Sequence, residues 1–543
     1  MTEIFSKIPV ATLKRSKQRI GNQNTLTMDF GQLIPGYCKL LYPGDTIRGN
    51  TIPYVEFMPM WHPIRADVDV YVHHFVVPLR LIWSDFELFI TGGRLGDDNP
   101  DMPASGIGGI TPDGTPILPQ FNLSQMMLGN RAVAGSLYDY LNYPTKNSSS
   151  DFPGDVKPYY VSGLKFRAYC QIFNDYYIDR NLSEPINFTK LSGVMTSAQM
   201  RTIDQILYRA WRKDYFTSAL PFAQRGGAVQ IQSPDMLIEL KSTLSNPLFV
   251  TETGLPVREE DIKTNQDGAI VDSEGNPVFF DPNGTLSMSG GSIFTVEDLR
   301  NYLAVQRQLE RDAVGGSRYI ENILANFGVK GKDARLQRAE YVAGSKTPVM
   351  VSSVRQTSET TEGNELGQDA GIAVASGGNN FFTYFATEHC YFMTIVSVIP
   401  KASYYQGVER EDLFKDRFDF YWPTFQHLGE QSIKNSELYF DPTDTAENND
   451  ATFGYAPRYA EMKFKLNEIH GQMRSSLLDW HLARSFANRP NLNENFIRVT
   501  PDDASRIFSV TDTSSVSNHL IVTLYNDFYA LRPCLNNPQP KII

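Results

Sequence analysis

The chain has 543 residues, of which 12% are aromatic, and it contains 39 Gly and 32 Pro. Aromatic side chains favour strands and Gly and Pro favour turns, so the composition predicts a β-rich, loop-rich protein rather than a helical one. The formal net charge of −11 excludes a uniformly basic nucleic-acid binder and leaves room only for local basic patches.

Four cysteines, Cys38, Cys170, Cys390 and Cys534, stand far apart in the chain. Their spacing fits neither a disulfide framework nor a zinc ribbon, so we expect reduced thiols, mostly buried. The longest apolar run, residues 390–399, is about half as long as a bilayer-spanning helix, and the N-terminus lacks a signal segment. These features predict a soluble protein made in a cytoplasm, without membrane insertion.

Residues 1–20 form a basic N-terminal arm. One acidic residue stands there against five basic ones: Lys7, Lys14, Arg15, Lys17 and Arg19. Pro9 and the lack of hydrophobic periodicity indicate an extended conformation. Isolated cations of this kind neutralise phosphate without reading sequence, so we interpret the arm as a segment that contacts phosphate; a solvated tail is the alternative.

Short strands are predicted for residues 22–57, broken by turns at Pro35-Gly36 and Pro43-Gly44-Asp45. The next run, residues 68–77, is apolar on both faces of a period-two pattern, which is typical of a central strand covered on each side. Pro78 cannot donate to a sheet ladder and should end this strand. A short helix should follow from Phe86.

The middle of the chain alternates loops and helices. Residues 91–119 are rich in Gly, Pro and Asp and predict a long surface loop. Aromatic residues at helical spacing predict a helix over 164–182. A second helix is predicted over 196–216, where Ile203, Ile206, Leu207, Ala210 and Trp211 would form its buried stripe.

Residues 226–292 differ in composition from their surroundings and predict an inserted module. Gly-Gly pairs flank the segment, and its ten acidic against three basic residues give a local charge of −7. Turn dipeptides separate short β-like runs within it. A disordered linker is the alternative, but six Leu and Phe side chains provide apolar material to bury.

The remaining chain predicts further strands with helical excursions. A capped helix should begin at Thr295 and reach Leu309, and another should cover 319–327. Loops are predicted over 359–380 and, as an acidic hairpin, over 441–450. Strands are predicted at 390–399, 459–466 and 519–532. Strands at both ends with long excursions between them indicate an antiparallel jelly roll or sandwich with enlarged loops.

No catalytic constellation is evident. His73 and His74 are adjacent in a strand and should point to opposite faces, so they cannot hold one metal ion together. Residues 344–347 (GSKT) resemble the end of a phosphate loop, but Ala339 stands where that motif requires glycine. The acidic residues at 409–412 are what many exposed helices carry. We therefore predict a non-enzymatic protein without a cofactor.

Ordered, aromatic-rich blocks then point to a family. The chain resembles the major capsid proteins of the gokushoviruses, small single-stranded-DNA bacteriophages of the Microviridae, nearly from end to end outside the insertion. The blocks are LYPGDT (41–46), FVVPLRLIW (75–83), FRAY (166–169), NL (181–182), KDYFTSALP (213–221), SRYIE (317–321), FGV (327–329), DARLQR (333–338), FYWP (420–423), LGE (428–430), FGY (453–455) and GQMRS (471–475).

The resemblance implies a mainly β fold, an eight-stranded antiparallel jelly roll of the viral capsid type with long loop insertions that contain helices. Residues 21–225 and 293–543 would form this capsid domain. Sixty copies, grouped in pentamers, would build a T=1 icosahedral shell around circular single-stranded DNA. The candidate DNA-facing residues on its inner surface are Lys7, Lys14, Arg15, Lys17 and Arg19. The implied partners are internal scaffolding and pilot proteins and a bacterial cell-surface receptor, and the implied location is the virion.

The same resemblance implies that residues 226–292 project at the threefold axes as a trimeric spike for host-cell attachment. Negative charge on an outer surface keeps particles apart. The candidate receptor-facing residues are Asp235, Glu252, Glu259, Glu260, Asp261, Asp267, Asp272, Glu274, Phe279 and Phe280.

Two other functions remain as alternatives. A lectin-like or carbohydrate-active jelly-roll protein could use the acidic loops to hold sugar or calcium. A sequence-specific nucleic-acid-binding regulator is disfavoured by the net charge and by the lack of a recognition helix.

Overall fold

A computed structural model describes residues 14–91, 118–146, 157–226, 249–252, 255–265, 269–280, 296–315, 324–325, 332–333, 336–355, 369–509 and 518–534. The chain forms two compact units, residues 1–223 together with 312–543, and residues 224–311. Among the residues described, no helix is both long and apolar enough to cross a lipid bilayer.

Strands dominate the first unit and recur in short pieces in the second. They are β1 Ser16–Arg19, β2 Gln23–Met28, β3 Ile34–Leu41, β4 Thr46–Phe57, β5 Val68–Pro78, β6 Gln120–Asn122, β7 Tyr160–Ser162, β8 Phe249–Thr251, β9 Pro256–Val257, β10 Lys263–Thr264, β11 Ile270–Val271, β12 Val278–Phe280, β13 Glu340–Pro348, β14 Met350–Arg355, β15 Asp369–Ser376, β16 Phe382–Phe385, β17 Cys390–Pro400, β18 Glu430–Lys434, β19 Thr452–Pro457 and β20 Leu520–Arg532.

Helices are short, with one exception. The α-helices are α1 Leu79–Ile82, α2 Phe86–Thr91, α3 Leu123–Leu128, α4 Leu137–Tyr140, α5 Leu164–Ile172, α6 Ser197–Ile203, α7 Val296–Gly315, α8 Asn435–Leu438, α9 Ala446–Asp450 and α10 Glu494–Ile497. A π-helical turn, Phe173–Tyr177, continues α5. Single 3-10 turns cover Glu259–Asp261, Arg410–Leu413, Pro423–Phe425, Ala460–Lys463, Gly471–Arg474, Leu478–Trp480, Pro501–Asp503 and Ser505–Ile507.

Two antiparallel sheets face each other in the first unit. One has the order β13-β5-β17-β3, and the other has the order β1-β20-β4-β15-β14, with β2 also on β20 and β16 also on β4. Val70 and Val398 of the first sheet and Val55, Ala373 and Val522 of the second belong to one buried cluster between the sheets. The molecule is therefore mainly β, as predicted.

β5 is covered on both faces, which confirms its prediction as a central strand. Val70 and Val72 face the core between the sheets, while Phe75 and Val77 join a second cluster that contains Phe166 of α5. Each such side chain contributes roughly 1.5–3 kcal/mol when it is fully buried. The strand ends at Pro78, as predicted.

Several other elements are also confirmed. β17 and β20 lie where strands were predicted, and β17 is buried along almost its whole length. The turn after β3 is closed by the Asp45 N–H, which donates to the Tyr42 carbonyl at 3.0 Å. Gly44 has φ +90° there, a conformation that glycine adopts without steric cost.

The turn predicted at Pro35-Gly36 is wrong, because both residues lie inside β3. β3 is an edge strand of its sheet, where a residue without an N–H is tolerated. The ladder to β17 is irregular between Thr394 and Ile395, beside Pro35. The proline lies beside this irregularity and does not end the strand.

The helix predicted over 196–216 is wrong beyond its first third, since α6 ends at Ile203. The chain then pairs with other segments: the Leu207 carbonyl accepts from the Leu33 N–H at 2.9 Å, and the Leu207 N–H donates to the Tyr169 hydroxyl at 3.0 Å. These tertiary hydrogen bonds outweigh the weak helical preference of the sequence.

Three predictions in the second half are also wrong. The loop predicted over 359–380 contains β15, which pairs with β14 and β4. The acidic loop at 441–450 ends in helix α9. The strand predicted over 459–466 contains a 3-10 turn instead, and the Met462 side chain that should point inward is 59% exposed.

The helices at 164–182 and 295–309 exist with different limits. The first ends with its π-turn at Tyr177, and the second continues to Gly315. The loop at 92–117 and most of the helix predicted over 319–327 lie outside the described residues. In the unit of residues 224–311, β12-β8-β9 and β10-β11 form two small antiparallel sheets.

Candidate assembly and nucleic-acid interfaces

The end of the basic arm forms β1, which pairs with β20 in the sheet of order β1-β20-β4-β15-β14. Lys17 lies opposite Leu531 and Arg19 opposite Tyr529 in an antiparallel ladder with β20. The Lys17 ammonium is 4.3 Å from the centre of the Tyr529 ring, and the Arg15 guanidinium is 5.7 Å from that of Phe385. Both distances allow cation–π attraction, so Lys17 lies beside a ring of β20 and Arg15 beside a ring of β16.

Lys14, Arg15, Lys17 and Arg19 are all exposed to solvent, whereas Lys7 lies outside the described residues. Arg19 is 3.9 Å from Asp527, but the two side chains are 73% and 52% exposed. An ion pair so exposed to water contributes little to stability, so Arg19 remains available to an anionic ligand.

Aromatic and aliphatic side chains cover the outer face of the same sheet. Ile521 and Tyr525 of β20 and Ile52 and Tyr54 of β4 point away from the core and are each about two-fifths to one-half exposed. Arg48 lies opposite Tyr529 on the same face. This surface was not predicted from the sequence, although period-two alternation along the final strand indicates it.

The described candidates of the acidic insertion lie on short strands and turns. Glu252, Glu260, Asp261, Glu274 and Phe279 are exposed. Glu259 and Phe280 belong to the 3-10 turn Glu259–Asp261 and to β12, and Asp235 and Asp267 lie outside the described residues.

Asp272 differs from the other acidic candidates because its carboxylate holds a turn together. It accepts hydrogen bonds from the Glu274 and Asn276 backbone N–H groups at 2.9 and 2.8 Å. The hydrogen bond from the Asn276 side chain, with those from the backbone, lowers the pKa of Asp272. This residue therefore shapes the strand-to-strand connection.

A cavity of about 660 Å³ lies beside the 3-10 turn Arg410–Leu413. The more buried charged groups in its lining pair with one another: Arg410 lies 2.8 Å from Glu437 and 3.8 Å from Glu461, and Tyr215 donates to Glu437 at 2.8 Å. Burial raises the pKa of Glu437. In the part of the chain that the structure describes, no three His, Cys, Asp or Glu residues are grouped to hold a metal ion.

The two adjacent histidines of β5 point to opposite faces. His73 Nδ1 is 2.8 Å from the Tyr177 hydroxyl, and His74 Nδ1 is 2.9 Å from that of Thr394. Burial lowers the pKa of His73 to about 3 and that of His74 to about 4. Both rings are neutral near pH 7 and serve packing.

Comparison with known proteins decides the family. A profile of the capsid protein (F protein) family matches residues 6–540. This chain belongs to that family. It is 31% identical to capsid protein VP1 of Chlamydia phage 1 over 98% of this chain and 96% of the relative.

Two further relatives carry the same description. Capsid protein VP1 of Bdellovibrio phage phiMH2K is 31% identical over 99% of this chain and 97% of the relative. Capsid protein VP1 of Spiroplasma virus 4 is 27% identical over 96% of this chain and 94% of the relative.

The resemblance to Microviridae major capsid proteins is thereby confirmed. As a member of the capsid protein family, the chain has a structural role, self-assembles into a capsid and is located in the virion. The prediction that it is not an enzyme is confirmed on the same ground. The lectin-like and regulatory alternatives have no support from the family or from the relatives.

Proposed function

We propose that this capsid protein forms a T=1 icosahedral shell of sixty copies, built from pentamers, around circular single-stranded DNA. The supporting observation is the exposed basic strand β1, whose Lys17 lies beside the aromatic ring of Tyr529. The chain that carries this strand belongs to a capsid protein family whose relatives come from phages. The two facing sheets would be an eight-stranded jelly roll with additional strands. Synthesis would take place in the cytoplasm of a bacterial host.

The DNA-facing surface would comprise β1 and the neighbouring outer face of β20. Proteins that bind single strands without sequence preference combine cations, which follow the backbone, with rings on which bases stack. Lys17 and Arg19 supply the cations, and Tyr525 and Tyr529 supply the rings. We include Lys7, Lys14 and Arg15 in this surface.

The insertion at residues 226–292 would project as a trimeric spike and contact the host receptor. Its acidic and aromatic residues Glu252, Glu260, Asp261, Glu274 and Phe279 are exposed, as a recognition surface requires. The compact unit of residues 224–311 extends past the proposed limit into helix α7. Internal scaffolding and pilot proteins would assist assembly.

The proposal is tested on particles from cells that carry the complete phage genome. We expect electron microscopy to show closed T=1 shells that protect single-stranded DNA from nuclease. Changing Lys14, Arg15, Lys17 and Arg19 to Gln should leave shells that retain several-fold less DNA, because backbone charge is no longer neutralised.

The control changes four exposed cations elsewhere, Lys157, Lys190, Arg201 and Arg212, to Gln and so alters net charge equally. It should package DNA normally. Equal loss of DNA in both variants would remove β1 from the interface, and wild-type particles of another geometry or without single-stranded DNA would contradict the proposed function.

A further inference from the structure

Residues 414–428 form an exposed segment rich in aromatic residues, which we term the aromatic segment. Its Phe420 side chain is 59% exposed and Trp422 is 45% exposed. Five large apolar side chains of the segment are open to solvent: Phe418, Phe420, Tyr421, Trp422 and Leu428. Apolar clusters of this kind on a soluble subunit mark interaction sites.

Hydrogen bonds within the segment fix its backbone. The Asp419 carboxylate accepts from the Lys415 N–H at 2.7 Å and from the Asp416 N–H at 3.2 Å. The Asp416 carboxylate accepts from the Phe418 N–H at 2.6 Å. These bonds form a compact turn from which the rings project.

The rings themselves are also held in position. The Trp422 indole N–H donates to the Arg417 carbonyl at 2.7 Å, and the Tyr421 ring packs against Tyr459 at 4.9 Å between centres. Phe420 makes an edge contact with Phe414 at 5.1 Å. The segment is therefore ordered before any partner binds.

Such an arrangement suits a binding hot spot. Trp and Tyr dominate the binding energy of protein interfaces, and a surface already ordered loses less entropy when it docks. A segment that only had to remain in water would gain nothing from holding several rings outward, because each exposed ring forgoes the free energy of burial.

The charge of the segment narrows the choice of partner. Lys415 and Arg417 are balanced by Asp416 and Asp419, and Lys415 also pairs with Asp450 at 2.5 Å. A segment without excess positive charge, with carboxylates among its rings, is a poor ligand for phosphodiesters. It fits instead an apolar protein surface with a polar rim.

We propose that the aromatic segment is a subunit–subunit contact and docks on a second copy of this chain. As a member of the capsid protein family, the chain assembles with further copies of itself, and these supply the partner. The buried centres of interfaces between identical copies are apolar, as this segment is. The inference deepens the proposed shell function by naming residues that hold neighbours together. Phe420 and Trp422 are the central anchors, and Leu428 lies at the margin of the contact.

The test replaces Phe420 and Trp422 with Ala and compares this variant with Phe420→Tyr combined with Trp422→Phe. Both variants lose the indole hydrogen bond to Arg417, but only the first loses the rings. We expect the Ala variant to remain a folded subunit with an unchanged thermal midpoint, while shell assembly needs at least tenfold more protein. The ring-keeping variant should assemble close to the wild-type concentration, and wild-type assembly by the Ala variant would overturn the proposal.

A second measurement uses the wild-type chain and does not depend on a variant that folds. Oxidative footprinting of Trp422 is compared between free subunits, shells without genome and shells filled with DNA. Protection in shells without genome supports the subunit contact. Protection only in filled shells would assign the segment to DNA, and full reactivity in both kinds of shell would exclude any contact. Failure of the wild-type chain to form shells would instead contradict the proposed function.

Discussion

At the scale of single residues, burial decides what a side chain can do in this capsid protein. His74 lies among the rings of Phe382, Phe392 and Phe528, and burial holds its pKa near 4. The sequence correctly predicted that His73 and His74 face opposite ways, because adjacent strand residues alternate. It gave no indication of their partners, since Thr394 lies 320 residues away.

Arg484 illustrates a residue that sequence reasoning could not place. Its guanidinium is buried 5.0 Å from the Trp211 ring centre and 4.2 Å from that of Phe496, and it donates to the Phe496 carbonyl at 2.6 Å. No local pattern marks an arginine that will be enclosed by rings from distant segments.

The histidines predict acid sensitivity of the folded subunit. In the unfolded chain His74 takes up a proton as pH falls below about 6.5, whereas in the folded chain it does so only near pH 4. Because the unfolded state binds more protons between these two values, the free energy of unfolding falls as pH is lowered across that interval. His74→Gln removes one titrating group and can still hydrogen-bond Thr394. Thermal unfolding between pH 7 and pH 4 should then depend less on pH; an unchanged slope would show that His74 contributes nothing.

At the scale of elements, long apolar runs predicted strands well. β5, β17 and β20 were found because their apolar pattern extends over many residues. The segments at 196–216 and 459–466 were misassigned because hydrogen bonds to distant residues, or a backbone turn at Tyr459 with φ +58°, override local periodicity.

Close approach of β4 and β20 predicts a strict glycine requirement. Gly49 has φ +149°, and a Cβ placed there would lie 2.0 Å from the Asp527 carbonyl oxygen. Gly49→Ala should lower the free energy of unfolding by about 3 kcal/mol or more. The new Cβ would force the backbone at Asp527 to move, and alanine would also have to adopt a φ that is strained for any residue with a side chain.

Gly377 provides the matched control. It has φ +108°, but a Cβ there would meet no atom within 4 Å. Gly377→Ala should therefore cost only the backbone strain, about 1–2 kcal/mol. Chemical denaturation of the two variants measures the difference, and equal losses would show that the approach of Asp527 is unimportant.

At the scale of the whole molecule, the fold class and the family could be predicted from the sequence, whereas the order of the strands in the sheets could not. Composition and strand spacing indicated a β sandwich with enlarged loops, and ordered aromatic blocks indicated the family. The pairing order β13-β5-β17-β3 depends on three-dimensional proximity that spacing does not encode.

The proposed modular insertion predicts that shell and spike can be separated. Replacing residues 229–288 with a short Gly linker should leave soluble, assembling subunits, because no described residue of this segment belongs to the buried clusters between the two sheets. The resulting particles should no longer adsorb to host cells. Insoluble subunits would contradict the modular interpretation, and normal adsorption would contradict a receptor-binding role.

The position of β20 has a consequence for synthesis. This strand pairs with β4 on one side and with β1 and β2 on the other. Because β20 comes last along the chain, these four strands can form one sheet only after β20 has left the ribosome. A prematurely terminated polypeptide lacks the strand that joins its early segments into one sheet. Chains that end before Leu520 cannot complete this sheet, so we expect them to fail to fold into subunits that can assemble.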